Sequence, residues 1–330
     1  MNFWKSSLLH LYYHGSLPYR QWANRRAAAK GRAPALVFFY HRVADDGANP
    51  WTVSNRTFAR QIAWLRRRVE LISLEEAQRR IAAADNPRVC ASITFDDGYA
   101  ANLEEAIPLL VRERIPCTYF VTLHNVLTGE LFAHDAGQGG RFAPNTIGQL
   151  RALALAGIEI GAHGYHHADL GRGASRRQLH REIAVAGREL QELLGRPVRY
   201  FAFPFGQRAN LSQAALAVAQ EAGYQAACSA YGAYNFPGND AFHLQRIAAD
   251  ASTIRLKNWA TVDPRKTRIV RFAWKRDEGR GARDEGSRLG VQGSGFGVQG
   301  SEPGRVGPES IEAEPALRAP LLSSSMEGKE

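Results

Sequence analysis

Cysteine is scarce: 330 residues hold three, an odd number, which argues against a disulfide framework. Cys90, Cys117 and Cys228 each lie in an apolar, strand-like run, where a buried thiol with no chemistry of its own is expected. Long apolar runs are missing too, and no stretch reaches the roughly 20 residues needed to cross a bilayer. Residues 6–13 are interrupted by His10 and followed by His14 and Gly15, so no signal-peptide core is read there. The expectation is a cytoplasmic protein, or one peripheral at a membrane. A helix-turn-helix, a zinc finger and an aromatic RNA-binding motif are also absent. The net charge of +10 is therefore read as solvated or membrane-attracted surface, and no nucleic-acid partner is expected.

What is present suits one barrel-sized domain with extensions, since 45% of the residues are hydrophobic. Residues 1–34 mix aromatics (Phe3, Trp4, Tyr12, Tyr13, Tyr19, Trp22) with bases (Lys5, Arg20, Arg25, Arg26, Lys30, Arg32). That composition fits a helix lying on a membrane surface or one packed across the domain. Residues 35–275 form the main domain, in which strand and helix alternate about seven times, a rhythm that favours parallel strands under covering helices. Strands are expected at 35–40, 69–72, 89–95, 117–122, 158–160, 200–203, 225–229 and 244–248. Helices are expected at 57–68, 102–114, 146–156, 175–194 and 210–222, with another capped by Ser73 and carrying Glu76 at the capping-box position. The loop 123–145 holds His124 and His134, which lack ligand spacing and are read as surface residues. From 276 onward Gly, Ser, Glu, Arg and Pro dominate, and Gly290-Val291-Gln292-Gly293-Ser294 recurs as Gly297-Val298-Gln299-Gly300-Ser301. Residues 276–330 are read as a disordered low-complexity tail.

Chemistry concentrates at two strand ends. The run 89–95 stops at Asp96-Asp97-Gly98. Neighbouring side chains inside a strand point to opposite faces, but at a strand end beside a glycine both carboxylates can face one opening. Two close carboxylates repel unless a cation sits between them or one takes a proton. The bland alternative is an aspartate capping the next helix. The second strand end carries His163-Gly164-Tyr165-His166-His167. His163 and His167 are four apart, so one helical turn would bring both to one side and leave His166 pointing away. One aspartate and two histidines make a three-ligand set with a position left for water, as in catalytic zinc sites.

Together these stretches resemble the polysaccharide deacetylases, the NodB-homology carbohydrate esterases of family 4. Thr94-Phe95-Asp96-Asp97-Gly98 is similar to the first motif of that family, and His163-Gly164-Tyr165-His166-His167 to the second, with Gly164 where Ser or Thr is usual. Phe203-Pro204-Phe205-Gly206 is similar to the third, which forms a groove wall. The resemblance spans about residues 35–250 and implies a distorted (β/α)7 barrel. It further implies Asp97, His163 and His167 as ligands of a divalent metal, zinc first, Asp96 as base, and removal of acetyl groups from an N-acetylated glycan. Pro204, Phe205 and Gly206, with His41 at the end of the first strand, are the candidate substrate-binding residues. Three departures stand out. Ala202 occupies the place of an arginine that orients the base in many relatives, and Arg246 on the last strand is the candidate to supply that charge. No Asp-x-Trp motif is found, and no Leu-x-His follows the last strand, which leaves His243 as the candidate acid. A sugar-binding barrel without catalysis, and an amidase of a small cyclic amide, are the competing readings.

Overall fold

The computed structural model describes residues 3–47, 49–136, 142–171, 173–249 and 252–267. The expected tail at 276–330 lies outside the described residues.

The sheet is built from short runs of apolar and β-branched residues buried on both faces, as strands covered by helices must be. In chain order its strands are β1 (Ala35–Tyr40), β2 (Cys90–Phe95), β3 (Cys117–Val121), β4 (Glu159–Ala162), β5 (Tyr200–Ala202), β6 (Ala226–Cys228), β7 (His243–Leu244) and β8 (Ile247–Ala248). Every pairing is parallel. The spatial order is β7-β6-β5-β4-β3-β2-β1-β8, so each strand from β1 to β7 lies beside its sequence neighbour. One sheet edge is β7 and the other is β8, yet only Gln245 and Arg246 separate them in sequence. The sheet therefore curls until a single extended stretch, His243 to Ala248, pairs with both β6 and β1. Counting that stretch as one strand gives seven, and the expected distorted (β/α)7 barrel is what forms. A further short strand, Glu70–Leu71, pairs with the start of β2. The three cysteines are buried free thiols on β2, β3 and β6.

Ser73 caps its helix as expected, and the helix expected at 57–68 runs from Asn55 to Arg66 with Ser54 as its cap. Ser54 and Ser73 accept backbone N–H bonds from Thr57 and Glu76. The carboxylate of Glu76 does not complete a capping box at Ser73, because Arg79 and Arg80 both bind it. The full capping box is at Thr146 and Gln149 instead. The expected helix at 102–114 is a 3-10 turn, Ala100–Leu103, followed by an α-helix, Ala106–Arg112. The expected helix at 175–194 is α-helical at both ends but π-helical over His180–Val185, an extra-wide turn of the kind often found at functional sites.

Residues 1–34 form the helix Phe3–Ala28, with Pro18 inside it. Its inner face packs on the barrel. Arg20 is buried, and its guanidinium donates to the Asn258 carbonyl at 3.0 Å and to Asn258 Oδ1 at 2.8 Å. Tyr12 Oη donates to Asp263 Oδ1 at 2.8 Å.

Candidate active site

The sequence-selected residues follow strand C-terminal ends: His41 after β1, Asp96 and Asp97 after β2, His163 after β4, and Phe203 to Gly206 after β5. This is the end where barrel enzymes assemble their chemistry. A cavity of about 340 Å³, toward the small end of ligand pockets, opens there. Asp96, Asp97, His163, His167 and His41 all line it.

Neither aspartate caps a helix; Tyr99 holds the cap position of the following 3-10 turn. Both are buried. Asp97 reaches the cavity through a left-handed backbone, φ 70°, with Gly98 next at φ 96°. A non-glycine residue held in that region costs on the order of 1 kcal/mol, and such strain gathers where surrounding structure over-determines the geometry. Thr122 N–H donates to the Asp97 carbonyl and Asn145 N–H to that of Gly98, which pins the turn to neighbouring elements.

His163 and His167 come together, but not by the expected helical turn. The chain bends at Gly164, φ 83°, and His167 itself is left-handed at φ 59°. Glu182, on the π-helical turn, organises the bend. Its Oε2 accepts the backbone N–H groups of Tyr165 and His166, both at 2.9 Å, and its Oε1 lies 2.7 Å from His166 Nδ1. His166 is thereby turned away from the cavity, and His167 swings back in.

The three candidate ligand atoms lie within 4.8 Å of one another. Asp97 Oδ1 is 3.5 Å from His163 Nε2 and 3.3 Å from His167 Nε2. A tetrahedral centre with ligand bonds of about 2.0–2.2 Å sets its ligand atoms about 3.3–3.5 Å apart. The donor set fits a cation for a second reason. His163 Nδ1 is 2.8 Å from the Ala202 carbonyl, which can only accept, so Nδ1 carries the hydrogen and Nε2 presents a lone pair. Burial lowers the His163 pKa to about 4, so the ring is neutral at neutral pH. Among the described residues, Asp97 Oδ1 is buried with no hydrogen-bond donor. Lone pairs converging on an unsatisfied carboxylate oxygen are what a divalent cation satisfies. Burial would raise the Asp97 carboxyl, but interactions with His134 and His167 outweigh it and hold the group well below the usual range.

Arg246, between β7 and β8, is fully buried and grips Asp96 with both arms: Nη1 to Oδ1 at 2.6 Å and Nη2 to Oδ2 at 2.8 Å. Its Nε donates to the Ser229 carbonyl at 3.0 Å and Nη1 to Thr94 Oγ1 at 3.2 Å. Burial pushes the Asp96 pKa up, but the charge and hydrogen bonds of Arg246, the largest opposing influence, together with His163 and His41 outweigh it and hold the group below the usual carboxylate range. The last strand thus brings Asp96 a cationic partner that Ala202, on β5, does not provide.

Not every selected residue reaches the cavity. Phe205 does, half exposed and left-handed at φ 58°, with its ring edge-on to His167. Pro204 and Gly206 are buried behind it. A Cβ on Gly206 would come within 2.6 Å of Ala230 Cβ, so these two shape the wall and Phe205 presents it. His243 is not brought to the cavity: β7 carries it into the interior, 5% exposed, where its ring packs on Tyr231.

One residue set aside as surface belongs to the site. His134 lines the cavity, with Nε2 3.5 Å from Asp97 Oδ2 and 2.9 Å from Tyr99 Oη. Its neighbour Asp135 anchors the loop by accepting from Tyr99 Oη at 2.7 Å and Asn49 Nδ2 at 2.8 Å. Trp51 Nε1 also donates to Asp135, at 3.3 Å, and its ring joins the cavity wall. His124, in contrast, stays at the surface beside Glu130.

Comparisons with known proteins bear on the sequence and the fold. Residues 83–227 match the sequence model of the polysaccharide deacetylases. YxkH of Bacillus subtilis (strain 168), a protein provisionally assigned to the polysaccharide deacetylases, is 24% identical over 191 residues. That alignment spans 57% of this chain and 62% of that protein's length. Among solved structures, IcaB from Ammonifex degensii superposes with a TM-score of 0.59 at 25% identity, covering 69% of this chain and 97% of that one. The Streptococcus pyogenes deacetylase PplD, solved with acetate, gives 0.56 at 20% identity, over 68% of this chain and 97% of that one. The sequence match falls on the segment that carries both aspartates, both histidines and the Phe205 wall, and that segment, residues 83–227, is what this chain shares with the polysaccharide deacetylase family.

Proposed function

We propose that the protein is a metal-dependent hydrolase that removes N-acetyl groups from a glycan or glycan precursor, releasing acetate and leaving a free amine. The observation that carries this reading is the unsatisfied Asp97 Oδ1 facing the lone pair of His163 and the Nε2 of His167, with the ionised Asp96 in the same cavity. Asp97, His163 and His167 would hold the cation, and two imidazoles with one carboxylate suit zinc. A cation so held lowers the pKa of water and polarises a carbonyl.

The chain's own groups supply the rest. Arg246 uses one lone-pair position on each Asp96 oxygen, and a carboxylate offers about four. Asp96 can therefore still take a proton from water as the new C–O bond forms. Returning that proton to nitrogen lets the C–N bond break and the amine leave. Trp51 and Phe205 offer apolar faces to a sugar ring, and His41 lies beside Trp51 where polar substituents can be met. The same reading includes a peripheral membrane contact through residues 1–34, whose helix turns Trp4, Leu8, Leu11, Tyr19 and Trp22 outward.

The test joins metal analysis with acetate release from N-acetylglucosamine oligomers and other N-acetylated glycans. One bound divalent ion and acetate release that falls about 10²–10⁴-fold in Asp96→Asn, with the ion retained, is expected. A protein that binds these glycans but yields no acetate with its metal in place is a sugar-binding barrel instead.

A further inference from the structure

A second cavity, about 610 Å³, adjoins the first: Gln207, Ala230 and Ala248 line both. From that shared wall it runs to the N-terminal helix, where Leu9 borders it. Three cations line it, Arg255, Arg265 and Lys266, against one carboxylate, Asp263, a balance of three minus one, or +2. Asp263 is already engaged by Tyr12 Oη and by Arg265, at 2.8 and 2.9 Å. Among the described residues, Arg265 alone of the three cations has an ion-pair partner. The Lys266 ammonium sits 3.3 Å from the centroid of the Trp259 ring. Burial, with Arg255 and Arg265 adding to it, lowers the Lys266 pKa to about 8, although Asp263 opposes the shift. An anion relieves such a crowd of like charges, and phosphate is the anion that arginine and lysine recognise together.

The helix that borders this groove has an outer face of a distinct kind. Trp4, Leu8, Leu11, Tyr19 and Trp22 are 78, 64, 72, 56 and 54% exposed. At 100° per residue they fall within an arc of about 80°, opposite the buried Tyr13 and Arg20. Arg25, Arg26 and Lys30 are exposed beyond the stripe, and the first 34 residues contain no Asp or Glu. Aromatic residues on an apolar stripe with only basic flanks are the chemistry of a helix lying on an anionic bilayer surface.

We infer that the substrate is an N-acetylated sugar joined through phosphate to a lipid, with its phosphate between Arg255 and Lys266 and its lipid leaving across the outer face of the helix Phe3–Ala28. This rests on the deacetylase reading and narrows it. The acetamide occupies the cavity of Asp96 and Asp97, the linkage crosses the wall shared by the two cavities, and the helix holds the protein at the membrane from which the substrate projects.

The test uses N-acetylglucosamine carried on a short, soluble polyprenyl diphosphate, beside a neutral N-acetylglucosamine oligomer. The kcat/KM for the lipid-linked sugar is expected to exceed that for the oligomer tenfold or more, as loss of a charged hydrogen bond implies. In Arg255→Gln/Lys266→Gln, which keeps both side-chain stems, the ratio should fall toward one. Equal values for the two substrates in the unaltered protein, or a ratio that survives the substitutions, overturns the inference. Calorimetry with the same compound separates it from the reading beneath it. No acetate, but tenfold tighter binding than the neutral sugar that is lost in the double variant, removes hydrolysis and keeps the lipid-linked ligand. Undiminished affinity in the double variant removes the groove.

Discussion

The sharpest consequence of the geometry concerns Arg246. Its guanidinium lies 4.9 and 5.2 Å from the Phe39 and Phe120 ring centroids and is the sole formal cation bonded to Asp96 among the described residues. Arg246→Met keeps much of the packed stem and removes the charge. An unpaired carboxylate is then left in the interior, a change that typically costs about 3–5 kcal/mol, a large share of a domain's usual 5–15 kcal/mol. The pH dependence gives the sign. In the unaltered protein Arg246 depresses the Asp96 pKa, so the pair contributes stability above the unfolded carboxyl value, near 4, and loses it as pH falls through the folded value. In the variant burial acts without its main opponent, so the Asp96 pKa rises and the native state takes up a proton. The destabilisation should therefore be greatest at neutral pH and above and shrink as pH falls, and the acid limb of kcat/KM should move to higher pH. Asp96→Asn added to Arg246→Met removes the unpaired charge and should recover at least about 1 kcal/mol of the loss, the scale of coupling between residues in contact. Urea unfolding from pH 5 to 8, a pH–rate profile and metal content measure all three. Arg246 touches none of the candidate ligands, so metal content should hold. A variant with unaltered stability and an unmoved acid limb, or one that loses its metal, would refute the idea that Arg246 acts by keeping Asp96 ionised.

His134 Nε2 lies 3.5 Å from Asp97 Oδ2, while Oδ1 faces His163 and His167, so His134 is placed to orient that carboxylate. His134→Ala should weaken metal binding about 10–100-fold, as loss of an orienting partner usually does, and a competitive chelator titration reads this without turnover. His163 and His243 are both buried, and burial lowers both pKa values to about 4. Since the unfolded chain protonates histidine near 6.5, the metal-free protein should lose stability as pH falls from about 6.5 to 4, by up to about 1.4 kcal/mol per pH unit for each ring. His243→Gln should reduce that slope, and an unchanged slope in equilibrium unfolding would show that His243 is already protonated in the native state.

How much of this was legible in sequence depended on whether a constraint was local. Asp96, Asp97, His163 and His167 stood out because each pair sits in one short run at the end of a buried strand. Arg246 was reachable by asking which nearby strand could carry a cation for Asp96 once Ala202 could not. The four-residue spacing of His163 and His167 suggested a helical turn, but spacing alone does not choose between a helix and a bend. The choice was made by Glu182, whose carboxylate satisfies two backbone N–H groups from 16 and 17 residues away. His134 was out of reach because nothing beside it announces its role. It arrives because Asp135 is tied to Asn49 and Trp51, 86 and 84 residues distant. His243 failed for the opposite reason: its strand was found, but two-residue pairing with β6 set its side chain inward.

A common feature links the residues that sequence could name but not position. Asp97, His167 and Phe205 all hold positive φ, three of the six non-glycine residues that do so among those described. Each follows a strand of the same sheet and turns its side chain back over the strand ends. Asp and His enter that backbone more readily than most residues and Phe does not, and at each position fixed neighbours hold it: the Thr122 and Asn145 N–H groups around Asp97, the Glu182 carboxylate before His167, and the close approach of Gly206 to Ala230 after Phe205. The three candidate ligand side chains are therefore positioned by hydrogen bonds and close contacts of the scaffold. On the metal-dependent reading proposed above, cation affinity should depend as much on Glu182 and His134 as on Asp97, His163 and His167.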